Sequence, residues 1–182
     1  MLGAGHDHLV LFHESDEDLA DQVYEYLFGR GEPGTAILVA SSEHRRLITD
    51  RMARAGIDIS AVRADGSFVA LDASGVLAGF MVDGWPDAAA FWRTMSPVLK
   101  RAESRPGEVR VFGEMVTLLW DAGQTGAAVD VEALWNELAR QYSFSLLCVY
   151  PASSVATAED ADDVSHVQAA HSDVLRAPPG VN

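Results

Sequence analysis

Short apolar runs alternate along this chain with stretches whose apolar residues recur at helical spacing. Leu9 to Phe12 is continuously apolar, as a strand buried on both faces of a parallel sheet is. Leu19, Val23, Tyr26 and Leu27 follow at the period of one helix face. Ser15 with Asp18 three positions on resembles a capping box, with Asp in place of Glu. Gly29, Gly31, Pro33 and Gly34 make a turn. Thr35 to Ala40 reads as a second buried strand. Ser41 or Ser42 caps a second helix, with Leu47, Ile48 and Met52 inward and Gly56 as its stop.

Ile59 to Val62 and Phe68 to Leu71 read as short strands around Asp65-Gly66. Leu77 to Met81 reads as a short helix after Asp72 to Gly75. Trp85-Pro86-Asp87 opens a longer helix with Phe91, Met95, Val98 and Leu99 as its apolar stripe, ended by Arg105-Pro106-Gly107. Glu108 to Phe112 is a strand. Glu114 to Asp121 and Val129 to Tyr142 are helices. Phe144 to Tyr150 is a strand that Pro151 stops. Ala158 to Asp163 is small and acidic, Val164 to Leu175 has the pattern of a last helix, and Pro178-Pro179-Gly180 is loose. This alternation predicts an α/β fold of three layers, a mostly parallel central sheet flanked by helices. One domain is expected over residues 6–176, with a loose tail at 177–182.

Composition narrows the partners. Hydrophobic residues are 48% of the 182, enough for a core and too many for a disordered chain. The formal net charge of -14 disfavours nucleic acid and anionic membranes, both of which call for basic surfaces. No apolar run approaches the roughly 18 residues of a membrane span, and no N-terminal stretch resembles a signal peptide. The single cysteine, Cys148, sits mid-strand and reads as inert core. These features together lead one to expect a cytoplasmic protein.

Candidate chemistry gathers where strands end, because ligands of open parallel sheets sit outside the carboxyl ends of the strands. His13 and Glu14 follow the first strand, Ser41 to His44 the second, Glu114 the strand at 108–112, and Tyr150 ends the strand at 144–150. Glu114 is the strongest of these. It either caps the helix it precedes or anchors a ligand or a facing arginine such as Arg45. His13 and His44 read as supporting histidines or as direct contacts to a small organic ligand. A divalent ion on these histidines and the glutamates is chemically reasonable, but no paired spacing fixes two ligands on one element, so no metal is expected. Trp85, before Pro86, is the tryptophan most suited to face a pocket. The ligand-binding set is therefore His13, Glu14, Glu43, His44, Trp85, Glu114 and Tyr150. No nucleophile stands beside a base and no cofactor motif is present, so neither catalysis nor a cofactor is expected.

The turn after the first strand separates this chain from nucleotide-binding domains of the same order. A phosphate loop there needs glycines and usually a lysine. Residues 13–18 contain neither and carry four carboxylates.

Several stretches taken together resemble the MEDS family, the sensory domain named for methanogens, methylotrophs and the dichloromethane-responsive repressor. They are residues 8–48, the segment VRVFGEMVTLLWDAG at 109–123, EALWNELARQYSFSLLCVYP at 132–151, and His171-Ser172. The resemblance implies a RecA/KaiC-like core that has lost its phosphate loop. Residues 13–18 would occupy the loop position, and Glu43 the place of that core's catalytic glutamate. It also implies a small-molecule-sensing regulatory domain in signal transduction or transcription control, without nucleotide hydrolysis. The alternative is an interaction module that docks a kinase or anti-sigma-type regulator with no ligand. No helix-turn-helix precedes His6, so control of transcription would run through a regulatory partner.

Overall fold

The computed structural model describes residues 7–29, 31, 34–152 and 171–176. Pro33, the acidic stretch at 158–163, most of the helix expected at 164–175, His6, His166 and the tail at 177–182 lie outside the described residues.

Among the described residues, six strands form one sheet: β1 (His8–His13), β2 (Thr35–Ala40), β3 (Phe68–Asp72), β6 (Val109–Gly113), β7 (Ser145–Pro151) and β8 (Asp173–Arg176). Their order is β3-β2-β6-β7-β1-β8, and every pairing is parallel. Alternate side chains of each strand enter opposite halves of the core. Leu9, Leu11, Leu38 and Val149 pack with α1 (Asp16–Phe28), α2 (Ser42–Arg54) and α3 (Ile59–Ala64). Val10, Ile37, Val39 and Cys148 pack with α4 (Ala73–Ala78), α5 (Ala88–Glu103), α6 (Met115–Asp121) and α7 (Thr125–Leu138). The expected three-layer α/β fold is thus the one observed. A fully buried leucine such as Leu38 contributes roughly 1.5–3 kcal/mol, so two such layers hold the sheet from both faces.

The strands at 9–12, 35–40, 108–112 and 144–150 fall where the apolar runs put them. Ser15 caps α1 by accepting from the Asp18 amide, and Ser41 caps α2 by accepting from the His44 amide. Four local readings change. Residues 59–62 are helical, not extended, because the Asp58 carboxylate accepts from the Ala61 amide and starts α3. The helix expected at 77–81 begins earlier, where Asp72 accepts from the Gly75 amide. Met81–Val82 (β4) and Trp85–Pro86 (β5) instead form a small antiparallel hairpin. Asp83 and Gly84 turn it with φ of 50° and 84°, the left-handed pair that a two-residue hairpin turn requires. The helix expected at 129–142 runs from Thr125 to Leu138.

The fourth change is at the chain's far end. Residues 173–175 belong to β8, paired in parallel with β1, rather than to a helix. The Ser172 amide donates to the His8 carbonyl at 2.7 Å and leads the segment into that pairing. Without it the outer backbone groups of β1 would be a bare sheet edge.

Candidate functional site

Four neighbouring strands, β2, β6, β7 and β1, deliver their carboxyl ends to one rim. A cleft of about 520 Å³ lies there. His13 to Asp16 line it beyond β1, His44 from α2, Glu114, Thr117, Leu118 and Asp121 along α6, and Pro151 and Ala152 at the end of β7.

Glu114 is the hub. It is 3% exposed. Its amide donates to the Val39 carbonyl, continuing the β2–β6 ladder past Gly113 and setting the carboxylate between two strand ends. One carboxylate oxygen, Oε2, accepts from the Ser41 amide at 2.7 Å, and Oε1 lies 2.6 Å from His44 Nδ1. The side chain does not cap its own helix. It serves the start of α2 instead, where unpaired amides favour a negative charge. His44 Nε2 lies 3.3 Å from Asp16 Oδ1, so this imidazole is held between two carboxylates. The hydrogen bond to Glu114 raises the His44 pKa above its ordinary 6.5; burial opposes this, and Asp16 adds to it.

His13 sits 6.4 Å from His44, ring edge to ring face. It is 7% exposed, and its Nδ1 is buried with no hydrogen-bond partner among the described residues. Burial lowers its pKa, and the neighbouring His44 lowers it further. The Ser15 backbone, Asp16 and Glu114 pull weakly the other way. The rim therefore holds one imidazole that favours its proton beside one that gives it up. Among the described residues, the lining contains four carboxylates and no lysine or arginine. The turn from β1 to α1 is only Glu14 and Ser15, too short to wrap a phosphate with backbone amides.

A family profile described as the MEthanogen/methylotroph, DcmR Sensory domain matches residues 7–171. The chain belongs to the MEDS family. A sensory or regulatory role follows from that membership. A search of curated proteins returns no match. No helix of the described residues is long and apolar enough to cross a membrane.

In this MEDS domain, the rim brings together His13, Glu14, His44 and Glu114 of the residues singled out from sequence. Three others stand apart. Glu43 is exposed on the first turn of α2 and outside the cleft lining. Trp85 is 57% exposed on the β4–β5 hairpin, and a Cβ added to Gly126 would come within 3.2 Å of its ring. Tyr150 is wholly buried, and its hydroxyl donates to Glu132 Oε1 at 2.8 Å. Arg45, expected to face Glu114, pairs with Asp72 at 2.8 Å. Asp16, Thr117 and Asp121 also line the cleft and are not among the residues singled out from sequence. Thr117 could have been found, because it lies one helical turn beyond Glu114; its hydroxyl donates to the Val149 carbonyl and ties α6 to β7.

A second polar group lies inside the protein. Glu132, fully buried on α7, meets His8 Nε2 at 3.1 Å, Cys148 Sγ at 3.4 Å and His171 Nε2 at 3.4 Å. Burial would raise the Glu132 pKa, but the bonds to His171 and His8 outweigh it and hold the carboxyl well below its usual range. Burial and the Glu132 charge push the Cys148 thiol and the Tyr150 hydroxyl up. The signal in the sequence was Glu132 itself, a charge on the stripe of α7 that otherwise buries Ala128, Val131 and Trp135.

Proposed function

We propose that this MEDS domain senses a small organic molecule, neutral or cationic, in the rim cleft, and does so in the cytoplasm without hydrolysing nucleotide. The observation that carries this reading is the Asp16–His44–Glu114 array beside His13 at the strand ends. It offers charged acceptors and a buried imidazole nitrogen at the place where open parallel sheets bind ligands. A volume of about 520 Å³ falls in the range of small-molecule sites. Four carboxylates with no lysine or arginine in the described lining would repel a triphosphate, which supports a domain that hydrolyses no nucleotide. Occupancy would bias how α1, α2 and α6 meet at the rim, and a regulatory partner would read that difference.

Native mass spectrometry of freshly purified protein, followed by a thermal-shift screen of small organic molecules, tests the reading. A retained mass, or a molecule that stabilises the domain, is the expected result. At a hundredfold excess over Kd a ligand adds about 2.7 kcal/mol, a rise in Tm of roughly 5–10 °C for a chain of this size. The rise should largely vanish in Glu114→Gln. An unmodified mass with no responsive molecule would reject ligand sensing.

One observation favours the second reading, a docking module without ligand. Val82 and Trp85 are each 57% exposed on the β4–β5 hairpin, and exposed aromatics of this kind anchor protein interfaces. That reading gains if Trp85→Ala releases a regulatory partner while the cleft variants do not.

A further inference from the structure

We propose that His8, Glu132, Cys148 and His171 form a buried site for one divalent transition-metal ion of the zinc or ferrous class. His8 Nε2 is 3.1 Å from Glu132 Oε2 and 3.5 Å from Cys148 Sγ, and that sulfur is 3.4 Å from Glu132 Oε2. A tetrahedral ion with bonds of about 2.0 Å to nitrogen and oxygen and about 2.3 Å to sulfur keeps its ligand atoms roughly 3.3–3.6 Å apart. The three donor atoms thus already outline one face of such a tetrahedron. His171 supplies the fourth corner: the four ligand atoms all lie within 4.8 Å of one another.

The surroundings aim the donors inward. His8 Nδ1 lies 2.9 Å from Asn136 Oδ1, which can only accept, so Nδ1 carries a proton and Nε2 is the nitrogen that faces the cluster, a donor to Glu132 while protonated and a metal ligand once an ion displaces that proton. The Tyr150 hydroxyl donates to Glu132 Oε1, the oxygen from which His171 Nε2 lies 3.4 Å, and Oε2 faces His8 and Cys148. Hydrogen bonds behind the ligands, to the far nitrogen of a histidine and the far oxygen of a carboxylate, are the usual support of metal ligands. A lone pair and a carboxylate oxygen at 3.1 Å repel unless a cation or a proton lies between them. Two imidazoles, a thiol and a carboxylate are a mixed donor set suited to zinc or ferrous iron rather than to magnesium or calcium.

Four protein ligands close the coordination sphere, so the ion is structural. The ligands come from β1, α7, β7 and the residue that leads into β8. The ion would pin the outermost strand to the core. His8 begins β1 and His13 ends it, about 16 Å away along the strand, so this site is separate from the rim cleft.

Titration of metal-free full chain with Co²⁺ decides the matter. One equivalent should bind, giving the strong visible bands of a tetrahedral centre and a near-ultraviolet thiolate-to-cobalt absorption, both abolished by competing Zn²⁺. Cys148→Ser should lose the near-ultraviolet band. Asn136→Ala should keep the spectrum and bind about 10–100-fold more weakly. Folded protein that takes up no Co²⁺ would overturn the proposal and leave a histidine–glutamate pair held by a proton. A near-ultraviolet band that survives in Cys148→Ser would overturn it too. Should that variant fail to fold, the wild-type spectrum and the Asn136→Ala affinity decide alone.

Discussion

At the scale of single residues, the rim is a matter of which imidazole keeps its proton. His44 lies between Glu114 and Asp16, and its pKa is raised; His13 is buried beside it, and its pKa is lowered. A raised histidine pKa adds stability that is complete below the unfolded value, near 6.5, and is lost as pH rises through the folded value. A lowered one works in reverse: its contribution is complete above 6.5 and fades as pH falls toward the folded value. The two windows flank 6.5, and the pair together favour folding most near that pH. NMR titration of the imidazole signals should show the His44 midpoint above and the His13 midpoint below 6.5, with Glu114→Gln moving His44 down. Equal midpoints would remove the electrostatic basis of the site. Glu114→Ala, which strips the Ser41 amide and His44 of a charged partner, should cost about 1.5–3 kcal/mol, read as a shifted urea midpoint with unchanged slope. Glu114 was legible from sequence because a carboxylate after a buried strand and a glycine has to emerge at the sheet's end. Tyr150 was misleading for a related reason. It shares a strand face with Cys148, and that face turns into the core rather than to the rim.

At the scale of elements, long periodic segments were readable and short ones were not. Apolar runs at 35–40 and 108–112 have no stable place except the middle of a sheet. Ile59 to Val62 has the same β-branched character, yet a single Asp58 cap decides for helix. The hairpin at 81–86 rests on two positive φ angles that alternation does not reveal. The β8 pairing is settled by a distant partner, β1, and so leaves no local trace. Two element junctions are sharply testable. Gly34 enters β2 against the turn before β6, and a Cβ there would lie 2.4 Å from the Pro106 carbonyl oxygen. The neighbour is backbone and cannot swing aside, so Gly34→Ala should destabilise by about 1–3 kcal/mol, measured by thermal or urea unfolding. A neutral result would mean that the two turns are not in contact. Glu132 binds α7 to β7 and β1 through Tyr150, Cys148 and His8. Glu132→Ala leaves those groups buried without their partner and should cost roughly 3–5 kcal/mol, far above the change at an exposed acid such as Glu43.

At the scale of the whole molecule, charge and topology act together. A net charge of -14 and a described rim lining without lysine or arginine differ from the basic, amide-rich edge at which parallel-sheet proteins hold phosphates. Calorimetric titration with ATP and Mg²⁺ should show no micromolar binding, and binding that disappears when residues 13–18 are changed would reverse that conclusion. The alternation of strands and helices announced the sheet, and with it the rim at which four strand ends meet. The exposure of Trp85 and the inward turn of Tyr150 depend on packing that no local pattern records. On the proposed reading, the rim cleft of this MEDS domain is where a small molecule is sensed. Chemical-shift mapping of isotope-labelled protein, titrated with the molecules that stabilise it, tests this most directly. Saturable one-to-one shifts should centre on residues 13–16, 41–44, 114–121 and 151–152, and fade in Glu114→Gln. Shifts confined to the 81–86 hairpin, or unchanged by the Glu114 substitution, would contradict it.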